Sequence, residues 1–115
     1  MSDVTVWLNP RCSKCRGAEE LLADRGVDAD KVYYLDAPPS RDEIARVVDL
    51  LGGDARSLVR SREPEYAELG LGQADDERLI DAMAEHPVLI ERPVVIRGDR
   101  AVVARPPELL LELLD

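Results

Sequence analysis

The chain has 115 residues, of which 45% are hydrophobic and 34% charged, and its formal net charge is −9. This length suits one domain with a single core, and the composition is that of a folded protein rather than a disordered one. The negative charge repels phosphate backbones and anionic bilayers, so we expect no nucleic-acid and no membrane partner. Because Phe is absent, we also expect an aliphatic core.

The sequence carries no signal-peptide pattern, and its apolar runs fall short of the roughly 18 consecutive residues typical of a membrane span. We therefore expect a cytoplasmic protein. A monomer is the default expectation, because no predicted helix has more apolar surface than a sheet could cover.

The first half of the sequence predicts a strand, a helix and a second strand. Val4–Leu8 is rich in β-branched residues and stops at Asn9-Pro10, as a buried strand entering a loop would. The spacing then predicts a helix with Ser13 as its cap and Gly26 at its left-handed C-terminal position. The second strand is predicted over 32–35.

The middle of the chain predicts helices only. Ser40 and Glu43 match a capping box, and apolar residues recur with helical spacing until Gly52. Shorter helical pieces are predicted around 55–60 and 64–69. A further helix is predicted over 75–86, where Pro87 stops it.

The C-terminal part predicts a β-hairpin and one more helix. Apolar strands at 94–96 and 101–104 flank a turn at 97–100 that contains Gly98, and a helix with an early Pro follows over 107–114. The element order β-α-β, helical block, hairpin, helix predicts an α/β thioredoxin-like fold with a mixed four-stranded sheet. We expect one domain over residues 1–115, with a helical insertion at about 40–90.

Both cysteines of the chain lie in Cys12-Ser13-Lys14-Cys15, where the first strand gives way to the first helix. A helix N-terminus and the neighbouring charges of Arg11, Lys14 and Arg16 favour a thiolate at Cys12, and the thiolate is the nucleophilic form of cysteine. Two cysteines at this spacing beside a βαβ pattern indicate redox chemistry. A pair of buried, inert cysteines is a less favoured alternative.

Other chemistry-bearing residues have weaker patterns. A zinc site would need two further ligands, and His86 is the only histidine; we therefore expect no metal, and interpret His86 as a packing or capping residue at a helix end. Three arginines, Arg60, Arg92 and Arg105, are too far apart in sequence to be grouped by spacing. We interpret Tyr66, Glu63 and Glu65 as packing and solubility residues.

Several segments, in order along the chain, form a pattern that covers nearly its whole length. The segments are Leu8-Asn9-Pro10-Arg11-Cys12-Ser13-Lys14-Cys15-Arg16, Tyr34-Leu35 with Pro38 and Ser40, Leu58-Val59-Arg60, Tyr66 with Glu68-Leu69-Gly70-Leu71, His86-Pro87, Glu91-Arg92-Pro93-Val94-Val95, and Arg105-Pro106. In this pattern the chain is similar to the thioredoxin-fold arsenate reductase family, in the same superfamily as the Spx-type regulators that bind RNA polymerase.

The resemblance implies a specific chemistry. Cys12 would attack arsenate and form a covalent thiol-arsenate adduct, which glutathione or another small thiol resolves before a glutaredoxin-type reductant completes the reduction to arsenite. No bound cofactor is implied. Arg60, Arg92 and Arg105 would bind arsenate or a similar oxyanion and lower the pKa of the thiol. The bond before Pro93 would be cis.

Two positions differ from the pattern that the resemblance implies. Leu8 stands where family members commonly have His, and Cys15 stands where they have Ser or Thr. Cys15 would offer an internal resolving thiol. A Cys-x-x-Cys pair leaves two alternatives beside arsenate reductase, namely a glutaredoxin-like thiol-disulfide oxidoreductase and a redox-sensing transcriptional regulator.

Overall fold

The chain divides into two units in the computed structural model, which describes residues 3–114. The first unit combines Met1–Ala37 with Arg92–Asp115, and the second is Pro38–Glu91. The second unit covers the segment that we expected as a helical insertion at about 40–90.

A mixed four-stranded sheet forms the centre of the first unit. Its strands are β1 (Val4–Leu8), β2 (Asp30–Tyr33), β3 (Val94–Arg97) and β4 (Arg100–Val103), in the spatial order β2-β1-β3-β4. The strands β1 and β2 are parallel, whereas β3 is antiparallel to both β1 and β4. This sheet, with its helices, confirms the predicted α/β thioredoxin-like fold.

Helix α1 (Ser13–Asp24) and a 3-10 helix (Pro107–Leu113) pack together on the first unit's core. The buried side chains of this core come from β1, α1, β3 and the C-terminal segment. Gly17 lies where the helices approach closely, because a Cβ there would come within 3.1 Å of the Pro107 ring. The core cluster comprises Val4, Val6, Leu8, Cys15, Ala18, Leu22, Val95, Ala104, Leu110 and Leu113.

The second unit contains helices α2 (Arg41–Leu50), α3 (Pro64–Glu68) and α4 (Asp76–Glu85), with 3-10 turns between and after them. The predicted capping box at Ser40 is present in both directions, and it satisfies two backbone N–H groups that the helix start would otherwise leave open. Arg41 of α2 pairs with Glu77 and Asp81 of α4, so the two helices are joined by charge as well as by their apolar faces.

Two helix predictions need correction. Ser13 is the first helical residue and not the cap: Cys12 is the N-cap, since its backbone is extended (φ −92°, ψ 124°). The last helix is a 3-10 helix, because its N–H groups reach back three residues, as from Leu109 to Pro106.

The strand boundaries also shift. β2 begins at Asp30 and ends at Tyr33, because Tyr33 is the parallel partner of Leu8, the last residue of β1. The hairpin turn contains two residues rather than four, since Arg97 pairs with Arg100, and Gly98 adopts the left-handed φ of 60° that such a turn needs.

The expected purely aliphatic core is wrong in two places. Trp7 and Tyr34 are both buried beside the aliphatic side chains. In a chain with few aromatics, these two supply large apolar areas that no aliphatic side chain matches. Among residues 3–114, no helix combines the length and apolar character needed to cross a membrane.

Candidate active site

The loop between β1 and α1 places Cys12 at the start of a helix. The Asn9 side-chain oxygen accepts the Arg11 N–H at 3.0 Å, and the Asn9 carbonyl accepts the Cys12 N–H at 3.0 Å. These bonds fold the loop into a tight turn, so that Cys12 occupies the N-cap position of α1. The sulfur therefore lies where the unpaired N–H groups of the first helical turn favour negative charge.

Several groups act on the Cys12 sulfur in opposite directions. Partial burial raises the pKa of Cys12. The backbone N–H and the thiol of Cys15, the backbone N–H of Lys14 and the positive charge of Arg92 lower it, and their sum places the pKa below that of an ordinary cysteine. Cys12 is therefore the residue whose thiolate, the nucleophilic form, is favoured.

Cys15 lies in a contrasting environment one helical turn further on. It is fully buried, and this burial, together with the Cys12 sulfur, raises the pKa of Cys15 to about 12 even though the Asn9 N–H, 3.3 Å from its sulfur, acts in the opposite sense. At neutral pH Cys15 is thus a protonated thiol. The less favoured alternative of an inert buried cysteine fits Cys15 in burial but not half-buried Cys12.

In the first unit, Arg92 lies near Cys12, and Arg105 contacts the backbone of Arg92. Arg92 acts on the Cys12 sulfur through its charge, and Arg105 Nη1 donates to the Arg92 carbonyl at 3.0 Å. The Arg92–Pro93 bond is cis, and the Arg105–Pro106 bond is cis as well. Pro93 also accepts the Ala104 N–H through its carbonyl at 2.9 Å, which links the two arginine-bearing segments.

Arg60 lies in the second unit and has close partners there. Its Nη2 is 2.7 Å from Glu63 Oε1, its Nε is 3.9 Å from Glu91 Oε1, and its Nη1 donates to the Val88 carbonyl at 3.4 Å. The interpretation of Glu63 as a packing and solubility residue did not include this ion pair. Arg60 and Glu63 are three residues apart and are joined by a turn, so their opposite charges were only a weak signal in the sequence.

Two further positions behave as structural residues. Leu8, at the position where the resemblance implies His, is fully buried in the apolar core. The Tyr66 hydroxyl accepts a bond at 2.9 Å from Arg56, which also donates to the Leu71 and Ala74 carbonyls and so holds the segment after α3.

His86 ends α4 as its C-cap and donates its backbone N–H to Ala82 at 2.8 Å, in line with a capping role. Within residues 3–114, no group of three or more His, Cys, Asp or Glu side chains is arranged to hold a metal ion.

Comparisons with known proteins show which family the chain is similar to. The ArsC family matches residues 7–113 of the chain. An arsenate reductase of Neisseria meningitidis is 42% identical over 111 residues, covering 94% of this chain and 95% of that protein. One of Escherichia coli K12 is 38% identical over 116 residues, covering 99% of this chain and 82% of that protein.

A solved structure extends the similarity to three dimensions. The arsenate reductase from Vibrio cholerae superposes with a TM-score of 0.90 at 43% identity, covering 95% of each chain. The chain therefore matches these proteins in both sequence and fold over almost its full length. This chain belongs to the ArsC family.

Proposed function

We propose that this protein is an arsenate reductase in which Cys12 is the nucleophile. The observation that carries the proposal is the position of Cys12 at the start of α1, where its pKa is lowered and the charge of Arg92 acts on its sulfur. A thiol whose pKa is lowered, beside permanently charged guanidinium groups, suits attack on an oxyanion. The relatives named arsenate reductase support arsenate as the substrate.

In the first step, the Cys12 thiolate attacks the arsenic atom. A sulfur-arsenic bond forms, and one oxygen of arsenate, once protonated, leaves as water. Arg92 and Arg105 offer N–H donors to the remaining oxygens in the first unit, and Arg60 is the third proposed ligand, an assignment that rests on the resemblance. Fixed donors stabilise the charge that develops on these oxygens.

In the second step, glutathione or another small thiol attacks the Cys12 sulfur. The sulfur-arsenic bond breaks with its electron pair left on arsenic, so arsenic(V) becomes arsenic(III) and the two sulfurs form a disulfide. A glutaredoxin-type reductant then regenerates the Cys12 thiol by disulfide exchange. Two thiols are oxidised for each arsenate reduced, and no bound cofactor is required.

Cys15 is proposed as an alternative resolving thiol. Its thiol interacts with the Cys12 sulfur and keeps its proton at neutral pH, as the raised pKa of about 12 implies. In the resting enzyme, it would therefore stabilise the thiolate rather than compete as a nucleophile. Once the charge on Cys12 is consumed in the adduct, the resistance of Cys15 to ionisation falls, because that charge is one of its causes.

The experiment that tests this function is arsenate turnover with glutathione and glutaredoxin. We expect turnover by the wild type, none by Cys12→Ser, and turnover by Cys15→Ser if the small thiol is the main resolving group. A folded wild-type protein that consumes no reductant when arsenate is added would contradict the proposal.

A second candidate is a thiol-disulfide oxidoreductase of the glutaredoxin type. The opposed pKa shifts of Cys12 and Cys15 favour it, since one thiolate and one protonated partner are what disulfide exchange needs. Reduction of a small mixed disulfide, with no response to arsenate, would indicate this function instead.

A further inference from the structure

Arg60 has two carboxylates around its guanidinium. Glu63 lies at 2.7 Å from Nη2 and Glu91 at 3.9 Å from Nε, and all three side chains are only about a quarter exposed or less. The formal charge of the three groups together is negative, although Arg60 alone is positive. Carboxylates at these distances reduce the attraction of Arg60 for an anion, so attraction alone does not explain their presence.

The backbone fixes these partners. The Glu63 N–H donates to the Arg60 carbonyl at 3.2 Å, closing a turn that brings the two side chains together. Glu63 is the N-cap residue of α3, yet its side chain makes no capping bond and is paired with Arg60 instead. The Arg60 N–H donates to Leu89 and the Glu91 N–H to Leu58, each at 2.7 Å, so Glu91 is held on the neighbouring segment.

An oxyanion that binds the Arg60 guanidinium would lie next to the Glu63 carboxylate. Sulfate carries no proton at neutral pH, so it would present only oxygen lone pairs to that carboxylate. Hydrogen arsenate and hydrogen phosphate keep a proton on one oxygen, and that O–H group can donate to a carboxylate. A buried or half-buried carboxylate therefore penalises an anion without a proton far more than one that can donate.

We propose that Glu63 is a specificity-determining residue whose carboxylate accepts a hydrogen bond from the protonated oxygen of a tetrahedral oxyanion bound to Arg60, and so excludes sulfate. The inference rests on the proposed function, in which Arg60 is an oxyanion ligand. No bond is broken and no proton is transferred in this recognition. Glu91 Oε1, at 3.9 Å from Arg60 Nε, adds negative charge but is too far from that nitrogen for a hydrogen bond.

The test is a calorimetric titration at neutral pH and constant ionic strength with arsenate, phosphate and sulfate. Cys12→Ser protein is used, because it cannot form the covalent adduct, and it is compared with the same protein carrying Glu63→Gln. Gln keeps the size of the side chain and an oxygen that can accept from Arg60, but it removes the charge. Glu68→Gln is the matched control, since Glu68 is exposed on α3 and its replacement changes the net charge equally.

We expect Cys12→Ser to bind arsenate and phosphate at least about tenfold more tightly than sulfate, a difference of about 1.4 kcal/mol. Glu63→Gln should reduce that preference about tenfold by strengthening sulfate binding, whereas Glu68→Gln should leave it unchanged.

Three results would overturn the inference, and they differ from one another. Sulfate binding as tight as phosphate binding in Cys12→Ser overturns it without any Glu63 variant. An equal gain for all three anions in Glu63→Gln shows simple charge repulsion without recognition of a proton. Absence of any oxyanion binding in folded Cys12→Ser removes the proposed oxyanion site itself, and the inference with it.

Discussion

The positively charged arginine side chains have different partners in the two units. In the first unit, the charge of Arg92 lowers the pKa of Cys12, and Arg105 donates to a neutral carbonyl. In the second unit, Arg60 is paired with Glu63 and faces Glu91. A positive charge that acts on a sulfur favours ionisation and attack, whereas a guanidinium paired with carboxylates has little net charge and would bind an anion through its N–H donors, beside carboxylates that can select among anions. Reactivity and selectivity would thus reside on different units.

The largest expected effect is the loss of the nucleophile. Cys12→Ser should lower the rate of arsenate reduction at least about 10³-fold, because a serine hydroxyl stays protonated where a thiol ionises. The rate is measured as arsenate-dependent oxidation of glutathione. Cys15→Ser is the control, since it changes the other cysteine, one helical turn away, and should keep most of the activity. Equal losses in both variants would contradict the division of roles between the two cysteines.

The comparison between arginines predicts two kinds of defect. Arg92→Ala should raise the pKa of Cys12 and move the acidic limb of the pH profile of kcat/KM to higher pH, because the positive charge that favours the thiolate is removed. Its loss in kcat/KM should be about 10²-fold. Arg60→Ala should weaken arsenate binding and leave the profile in place, since the charge of Arg60 is already offset. A shift of the pH profile of kcat/KM in Arg60→Ala would contradict the proposed difference between Arg92 and Arg60.

The raised pKa of Cys15 predicts how the free energy of unfolding changes at alkaline pH. Its pKa is raised by burial from 9.0 to about 12, so between these values the unfolded chain loses a proton that the folded chain keeps. The stability that the protonated thiol provides is therefore complete below pH 9 and declines as the pH rises, by at most about 1.4 kcal/mol per pH unit. Urea unfolding at several alkaline pH values measures the slope. Cys15→Ala should give a flatter slope, and an identical slope would mean that other groups cause the decline.

The smallest expected effect concerns the stability of the second unit. Glu63→Gln should lower the free energy of unfolding by about 0.5–1 kcal/mol, because it removes the charge of a partly exposed ion pair but keeps an acceptor for Arg60. Thermal unfolding at low and high salt measures this difference. It should shrink at high salt, where surface ion pairs are screened. A larger loss, unaffected by salt, would indicate a packing role instead.

Most of the fold could be predicted because local rules act on a few residues. The capping box at Ser40 and the turn at Gly98 each follow from backbone hydrogen bonding and allowed φ values. The start of β2 could not be predicted in this way. Asp30 and Lys31 join the strand because an edge strand with an exposed face tolerates polar residues, and that depends on the pairing with β1.

Only part of the candidate site could be predicted from the sequence. The reactive position of Cys12 follows from a strand, a loop and a helix in sequence, which are local features. The pairing of Arg60 with Glu91 depends on two distant segments lying side by side, and no spacing rule connects residues so far apart. Glu63 was within reach of such a rule, but an i,i+3 pair of opposite charges is so common that it singles out no residue.

The rate of Cys12 alkylation by iodoacetamide in Cys15→Ser protein, measured at neutral pH with increasing arsenate, tests the central claim most directly. We predict alkylation faster than that of an ordinary cysteine, because the thiolate is favoured, and a rate that falls as arsenate occupies the site. Alkylation at the rate of an ordinary thiol, unaffected by arsenate, would contradict it.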